Sequence, residues 1–124
     1  MTPAPPPDLQ SNAVVAIVQR QLDAYNARDL SRFVACYAQD VRVWRPPAPQ
    51  PVIVGRQALS DHYAANRFNL PGLHAALLGR MVLGNKVIDH ERIVGVGSAP
   101  MEAAAVYEVG ADGLIAAVWF FNAG

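Results

Sequence analysis

Four titratable side chains stand in a row, Asp89, His90, Glu91 and Arg92, inside the stretch VIDHERIVG from Val87 to Gly95. Carboxylates beside an imidazole and a guanidinium are the groups from which proton transfer is built. A carboxylate in apolar surroundings exchanges a proton near neutral pH, and a neighbouring cation tunes how readily it does so. The flanking Val87, Ile88, Ile93 and Val94 are strand formers, and a strand alternates its faces, so the four groups divide into two pairs. Asp89 and Glu91 share a face with Val87 and Ile93; His90 and Arg92 share the other with Ile88 and Val94. Both faces are apolar at their ends and polar in the middle, so periodicity alone leaves open which one looks into a core.

The preceding turn adds a register. LHAALLGRMVL and KVIDHERIVG are joined by Gly84-Asn85, which reads as a two-residue hairpin loop. Leu83 then opposes Lys86, Val82 opposes Val87, Arg80 opposes Asp89, Gly79 opposes His90 and Leu78 opposes Glu91. The Arg80–Asp89 pair joins opposite charges across the hairpin, an arrangement worth about 0.2–1 kcal/mol.

Other residues have suitable chemistry. Tyr25 ends an apolar stripe and can offer a hydroxyl to a ligand, or serve as core; Gln21 lies one turn earlier. Tyr107 shares a strand face with Ala103, Ala105 and Val109, small neighbours that suit a cavity floor or close helix packing. Arg45 can clamp a carboxylate at a cavity mouth or stand solvated before a proline loop. His62 lies on an amphipathic segment, either as a second proton-transfer group or as a partly exposed histidine; His74 starts a strand and reads as structural or exposed. The three histidines and the scattered carboxylates show no ligand spacing, so no metal is expected. No glycine-rich phosphate loop is present, and no cofactor is expected.

These residues must be placed by helices early in the chain and strands late. Residues 1–8 read as a disordered proline-rich tail and 9–124 as a single domain, with Asp8 or Ser11 capping the first helix. NAVVAIVQRQLDAYNAR puts Val14, Val15, Val18, Leu22 and Tyr25 on one stripe. Asp29 caps a second helix, LSRFVACYAQ, with Leu30, Phe33, Val34 and Tyr37 inward and Cys36 in its middle. DVRVWR is a strand ended by PPAPQP; VIVG is a short return strand. RQALSDHYAANRF is a third helix with Ala58, Leu59, His62, Tyr63 and Asn66 near one side. MEAAAVYEV and LIAAVWFFN flank GADG as a second hairpin. The order α-α-β-(β)-α-β-β-β-β describes an α+β fold in which helices cover one face of a curved antiparallel sheet.

Composition bounds the function. The chain has 124 residues, 52% of them hydrophobic and 16% charged, which suits one globular core. Ten acidic residues balance ten basic ones, leaving no basic footprint for nucleic acid or anionic lipid. No apolar run reaches membrane-span length, and MTPAPPPDLQ does not read as a secretory signal. A single cysteine suits the cytoplasm. Low charge with many Ala and Val residues suggests a homodimer, and Trp119 and Phe121, on one face of the last strand, are the expected interface.

Three segments carry a family resemblance: VQRQLDAYNARDLSRFVACYAQDVRVW, GRQALSDHYA and YEVGADGLIAAVWF. From about Val14 to Asn122 the chain resembles the nuclear transport factor 2-like superfamily, in its steroid delta-isomerase-like and polyketide-cyclase-like branches. The GNKVIDHERI hairpin looks like a smaller branch of bacterial proteins with no assigned activity. The resemblance implies a cone-shaped curved sheet wrapped by three helices. It does not imply one reaction, because the superfamily holds isomerases, dehydratases, epoxide hydrolases, cyclases and non-enzymatic binding modules.

Ketosteroid isomerase uses a carboxylate base with an oxyanion hole of a tyrosine and a protonated aspartate. By resemblance these positions fall on Arg45 before Pro46, on Gln21 and near Ala105, all changed in chemistry, so the steroid isomerase mechanism is not expected. The Arg-x-Asp pair of limonene epoxide hydrolase, matched at Arg92, puts Val94 where the aspartate should be. The epoxide hydrolase match turns the His90 face inward; the isomerase pattern turns the Glu91 face inward. The second is favoured, because Arg80 then offsets Asp89 and leaves Glu91 among apolar neighbours with a raised pKa. Glu91 is thus the leading acid/base candidate, with Asp89 and Arg80 orienting it. His62 falls where the isomerases place a pocket-lining aromatic and could face Glu91. The contrary reading puts the charged block on a solvated surface or an interface. The expectation is a cofactor-free acid/base enzyme of isomerase, lyase or hydrolase type on a small apolar molecule. The alternatives are a non-catalytic binding module with the same cavity, and an interaction domain whose pocket is filled by Phe33, Tyr37, Phe68 and Phe120.

Overall fold

The computed structural model of the protein describes residues 7–122. Its elements follow the expected order: α1 (Pro7–Asn26), α2 (Leu30–Val34), β1 (Tyr37–Trp44), β2 (Ile53–Val54), α3 (Arg56–Asn66), β3 (His74–Leu83), β4 (Lys86–Val94), β5 (Met101–Val109) and β6 (Ile115–Asn122). Most of the expected proline-rich tail, residues 1–6, lies outside the described residues. Its last two residues, Pro7 and Asp8, are helical, so neither Asp8 nor Ser11 stands before the helix as a cap. Proline suits a first helical position, where its missing N–H would have had no partner.

The buried stripe of α1 is Val14, Ile17, Val18, Gln21, Leu22, Ala24 and Tyr25. Ile17 takes the place expected of Val15, which is only half-buried. Asp29 caps α2, its carboxylate accepting from Arg32 N at 3.2 Å. The helix is shorter than its sequence suggests, because pairing with β6 intervenes. Ile115 N donates to Cys36 O at 2.9 Å and Tyr37 is already in register with Ile115. Tyr37 is therefore a strand residue and Cys36 lies in the connecting turn, not mid-helix. In α3 only Leu59 and Tyr63 are buried; Ala58 and Asn66, expected inward, are exposed.

The six strands form one curved, unclosed sheet in the order β2-β1-β6-β5-β4-β3. The β3–β6 meander is antiparallel, as expected, but β1 runs parallel to β6, so the sheet is mixed. Hairpin signals fix only strands adjacent in sequence, and the partner of β1 arrives some seventy residues later, so the sequence does not announce it. The β3–β4 register holds from Leu83↔Lys86 to Gly79↔His90. A bulge then leaves Leu78 unopposed and brings Leu77, not Leu78, opposite Glu91.

The helices and the inner sheet face enclose the core, in which Val18, Val41, Val43, Val87, Ile115 and Val118 are almost fully buried. The Asp89–Glu91 face of β4 is the inner one: Val87, Asp89 and Glu91 are buried, whereas His90 and Arg92 are exposed. Among the described residues no helix is long and apolar enough to cross a membrane.

Candidate functional site

A small cavity of about 100 Å³ lies between the helices and the inner sheet face. Its polar lining comes from several elements: Gln21 and Tyr25 from α1, Tyr37 from β1, Tyr63 from α3, Glu91 from β4, Tyr107 from β5 and Asn122 from β6. Arg45, just past β1, and Arg67, just past α3, complete it, with Leu22, Phe33, Ile93, Met101, Ala103 and Phe120 as the apolar wall. The site depends on strand alternation. Glu91 stands opposite Ala103, and Ala103 stands opposite Asn122, so a small side chain leaves space beside the carboxylate.

Glu91 is only 7% exposed, and its Oε1 has no hydrogen-bond partner among the described residues. An ionised carboxylate in that position is costly, so the proton is held more tightly. The pKa is raised to about 7, first by burial and then by the negative charge of Asp89, with Arg80 opposing the rise. Asp89 is fully buried but makes a two-point ion pair with Arg80, Nε to Oδ1 at 2.7 Å and Nη2 to Oδ2 at 2.9 Å. Arg80 Nη1 also donates to Gln19 Oε1 at 2.9 Å, tying α1 to the hairpin. Asp89 and Arg80 thus stand behind the cavity, not in its lining.

The opposite wall is organised by Gln21. Tyr37 Oη donates to Gln21 Oε1 at 2.9 Å, and Gln21 Nε2 donates to Tyr107 Oη at 3.2 Å. Because Tyr107 accepts that bond, its own hydroxyl proton is available to another acceptor. Burial pushes the Tyr37 and Tyr107 hydroxyls well above the usual tyrosine range, so both are neutral donors at physiological pH. Burial likewise raises Tyr25, and raises Tyr63 to about 12.

Of the residues singled out from sequence, Glu91, Gln21, Tyr25, Tyr107 and Arg45 converge on the cavity. His62 does not. It is half-buried on α3 outside the lining, stacked edge-on against Tyr63 and next to Asn66, so it cannot face Glu91. One helical position separates it from Tyr63, which takes the inward place. Its pKa is lowered by burial and then by Arg67 and Arg45. Arg80, expected to touch a ligand, spends its donors on Asp89 and Gln19. Tyr37, Tyr63, Arg67 and Asn122 were not anticipated as site residues. Tyr63 was legible as an inward helix position, whereas Arg67 follows the helix end and carries no periodic signal. Among the described residues no three His, Cys, Asp or Glu side chains gather as a metal donor set.

This architecture, a helix-covered curved sheet around a small polar-lined cavity, defines a class of small α+β pocket proteins. Residues 18–118 match the SnoaL-like domain, and the chain belongs to that family, within the nuclear transport factor 2-like fold. No match was found among curated proteins. Solved structures share the fold at low identity. A nuclear transport factor 2-like protein of unknown function from Mesorhizobium loti is 21% identical, with a TM-score of 0.80 over 99% of this chain and 98% of that one. A candidate ketosteroid isomerase from Kribbella flavida is 22% identical, with a TM-score of 0.79 over 93% and 81%. An uncharacterised cystatin-fold protein from Novosphingobium aromaticivorans is 23% identical, with a TM-score of 0.77 over 87% and 97%.

Proposed function

We propose that the protein is a cofactor-free acid/base enzyme that moves a proton on a small, mostly apolar substrate, with Glu91 as the proton-transfer group. The observation carrying this reading is the buried, unpartnered Oε1 of Glu91 inside a tyrosine-lined cavity. A carboxylate with a pKa near 7 is divided between base and acid forms at neutral pH, the optimum for taking a proton from one atom and returning it to another. The Tyr107 hydroxyl is placed to donate to a substrate oxygen as charge develops there.

Steroid isomerisation is not part of this reading. The positions of that chemistry hold Gln21, Arg45 and Ala105, and about 100 Å³ falls well below the roughly 300 Å³ or more of sites for drug-sized ligands. The likeness to the Kribbella flavida protein speaks for the fold alone. A cytoplasmic setting goes with the reading, since the one cysteine, Cys36, is a free buried thiol. So does a homodimer through the outer sheet face.

The test is solvent deuterium incorporation, followed by proton NMR, across a panel of small ketones and carboxylic acids. Wild-type protein is expected to exchange at least one carbon-bound hydrogen, and Glu91→Gln to slow this by about 10²–10⁴-fold. Ligands that bind without any exchange would leave the non-catalytic binding module as the correct reading.

A further inference from the structure

Two cations line the cavity, and no carboxylate among the described residues pairs with them. Arg45 and Arg67 form no ion pair among the described residues, whereas Arg80, behind the cavity, is fully engaged. Arg45 is held by its surroundings: its guanidinium carbon lies 5.1 Å from the centroid of the Phe120 ring, a cation–π arrangement that leaves its N–H edges free. Arg67 gives one donor, Nη1, to Asn66 O at 2.8 Å and also acts on the Tyr25 hydroxyl of the cavity wall, which fixes its fork there. Both guanidiniums line the same small cavity, and both act on Tyr63 and His62 of α3. Glu91 does not answer them, being paired with neither.

We propose that the ligand of this site is a small organic carboxylate, its anionic end held by Arg45 and Arg67 and its apolar body placed against Phe120 and Ile93 towards Glu91. This rests on the reading of the cavity as the ligand site. Planar guanidinium forks match the two oxygens of a carboxylate, and partial burial strengthens the match. Size limits the apolar body: a cavity of about 150 Å³ takes a benzene molecule, and this one is about 100 Å³, so the body is smaller than a phenyl ring, a short or branched aliphatic chain. The ligand charge also bears on Glu91. Paired with two cations, that charge is largely offset, so Glu91 can still ionise with the ligand in place.

The experiment uses the full chain and two probe pairs, 2-methylpropanoate against 2-methylpropanamide and 3-methylbutanoate against 3-methylbutanamide. Binding is followed by the backbone amide shifts of Ala103 and Tyr107. Each carboxylate is expected to bind about tenfold or more tightly than its amide. In the double variant Arg45→Gln/Arg67→Gln that preference should vanish, and the single Arg67→Gln variant should lose part of it if the double variant fails to fold. Equal affinity of acid and amide, with shifts at Ala103 and Tyr107, would overturn the carboxylate assignment and leave the cavity reading standing. No shift at either residue with any probe would overturn both.

Discussion

Glu91 has a thermodynamic signature that needs no substrate. Its folded-state pKa, about 7, lies above the ordinary carboxylate value of 4.5 because burial and Asp89 disfavour the charged form. Folding therefore favours the protonated form, and the unfolded chain gives up its proton more easily. Below pH 4.5 both states hold the proton and Glu91 costs nothing electrostatically. As pH rises from 4.5 to 7 the unfolded state ionises first and stability falls, levelling off above pH 7. The full shift corresponds to about 3 kcal/mol as an upper bound. Glu91→Gln, which cannot ionise, should stabilise the protein at pH 8 relative to pH 4 by up to that amount, as read from urea unfolding at the two pH values. An equal effect at both would mean that Glu91 is solvated. This site was half legible in the sequence. Strand alternation paired Glu91 with Asp89, and the hairpin turn gave Asp89 to Arg80. The Gln21 bridge between Tyr37 and Tyr107 was hidden, because it joins three elements through packing that no local pattern encodes.

Elements are held in place by a few specific contacts, some visible in the sequence and some not. Gly84, at φ 60°, is the first central residue of the β3–β4 turn, a position where that hairpin needs glycine. The hairpin and the Arg80–Asp89 pairing could therefore be read from residues 73–95, whereas the inward face of Glu91 needed the family resemblance. Gly95 plays a subtler part. It has φ 87° and approaches Gly72 so closely that a Cβ would run into the Gly72 carbonyl. That contact closes the base of the same hairpin just beyond Ile93, a cavity residue. Gly95→Ala should cost about 3 kcal/mol or more, because it combines a positive φ with a clash against backbone that has no rotamer to yield. Gly79→Ala, on the same hairpin with open space around its Cβ, is the control and should fall within about 1 kcal/mol of wild type. Chemical denaturation of the pair measures the contrast, and similar losses would show that the close approach does not matter. Asn26 is another anchor without sequence signal. It donates to Ala75 O at 2.9 Å and accepts from Ala75 N at 2.8 Å, so one side chain docks the end of α1 on edge strand β3. The boundary of α2 and the parallel β1–β6 pairing escaped the sequence for a common reason: both are decided by β6, the last strand to be made.

At the scale of the whole molecule, the outer face of the sheet carries an apolar row that no described element covers. Strand register aligns Met81, Ile88, Val106, Trp119 and Trp44 in one row across five strands. Phe121 stands in the next row beside Ala104, and Met81 and Phe121 are 61% and 45% exposed, far more than an isolated monomer gains from. The polar pairs Lys86–Glu108 at 3.2 Å and His90–Glu102 at 3.1 Å flank the row on its two sides. An apolar centre with a charged rim is the layout of a protein interface, and a face that presents the same row to a two-fold-related copy is self-complementary. We therefore expect a homodimer that stacks these faces, with Trp119 near its centre. The helices and the cavity lie on the other side of each sheet, so dimerisation would brace β4, β5 and β6 from behind without blocking access to Glu91. Analytical ultracentrifugation should give twice the chain mass at micromolar concentration for wild-type protein. Trp119→Glu and Met81→Asp should shift it to the monomer mass, because each places an unpaired charge in the apolar row. Leu83→Asp, at the edge of the face, should weaken association less. A wild-type monomer at about 100 μM, well above the dissociation constants of stable dimers, would exclude the interface and leave the apolar row to be explained by some other partner.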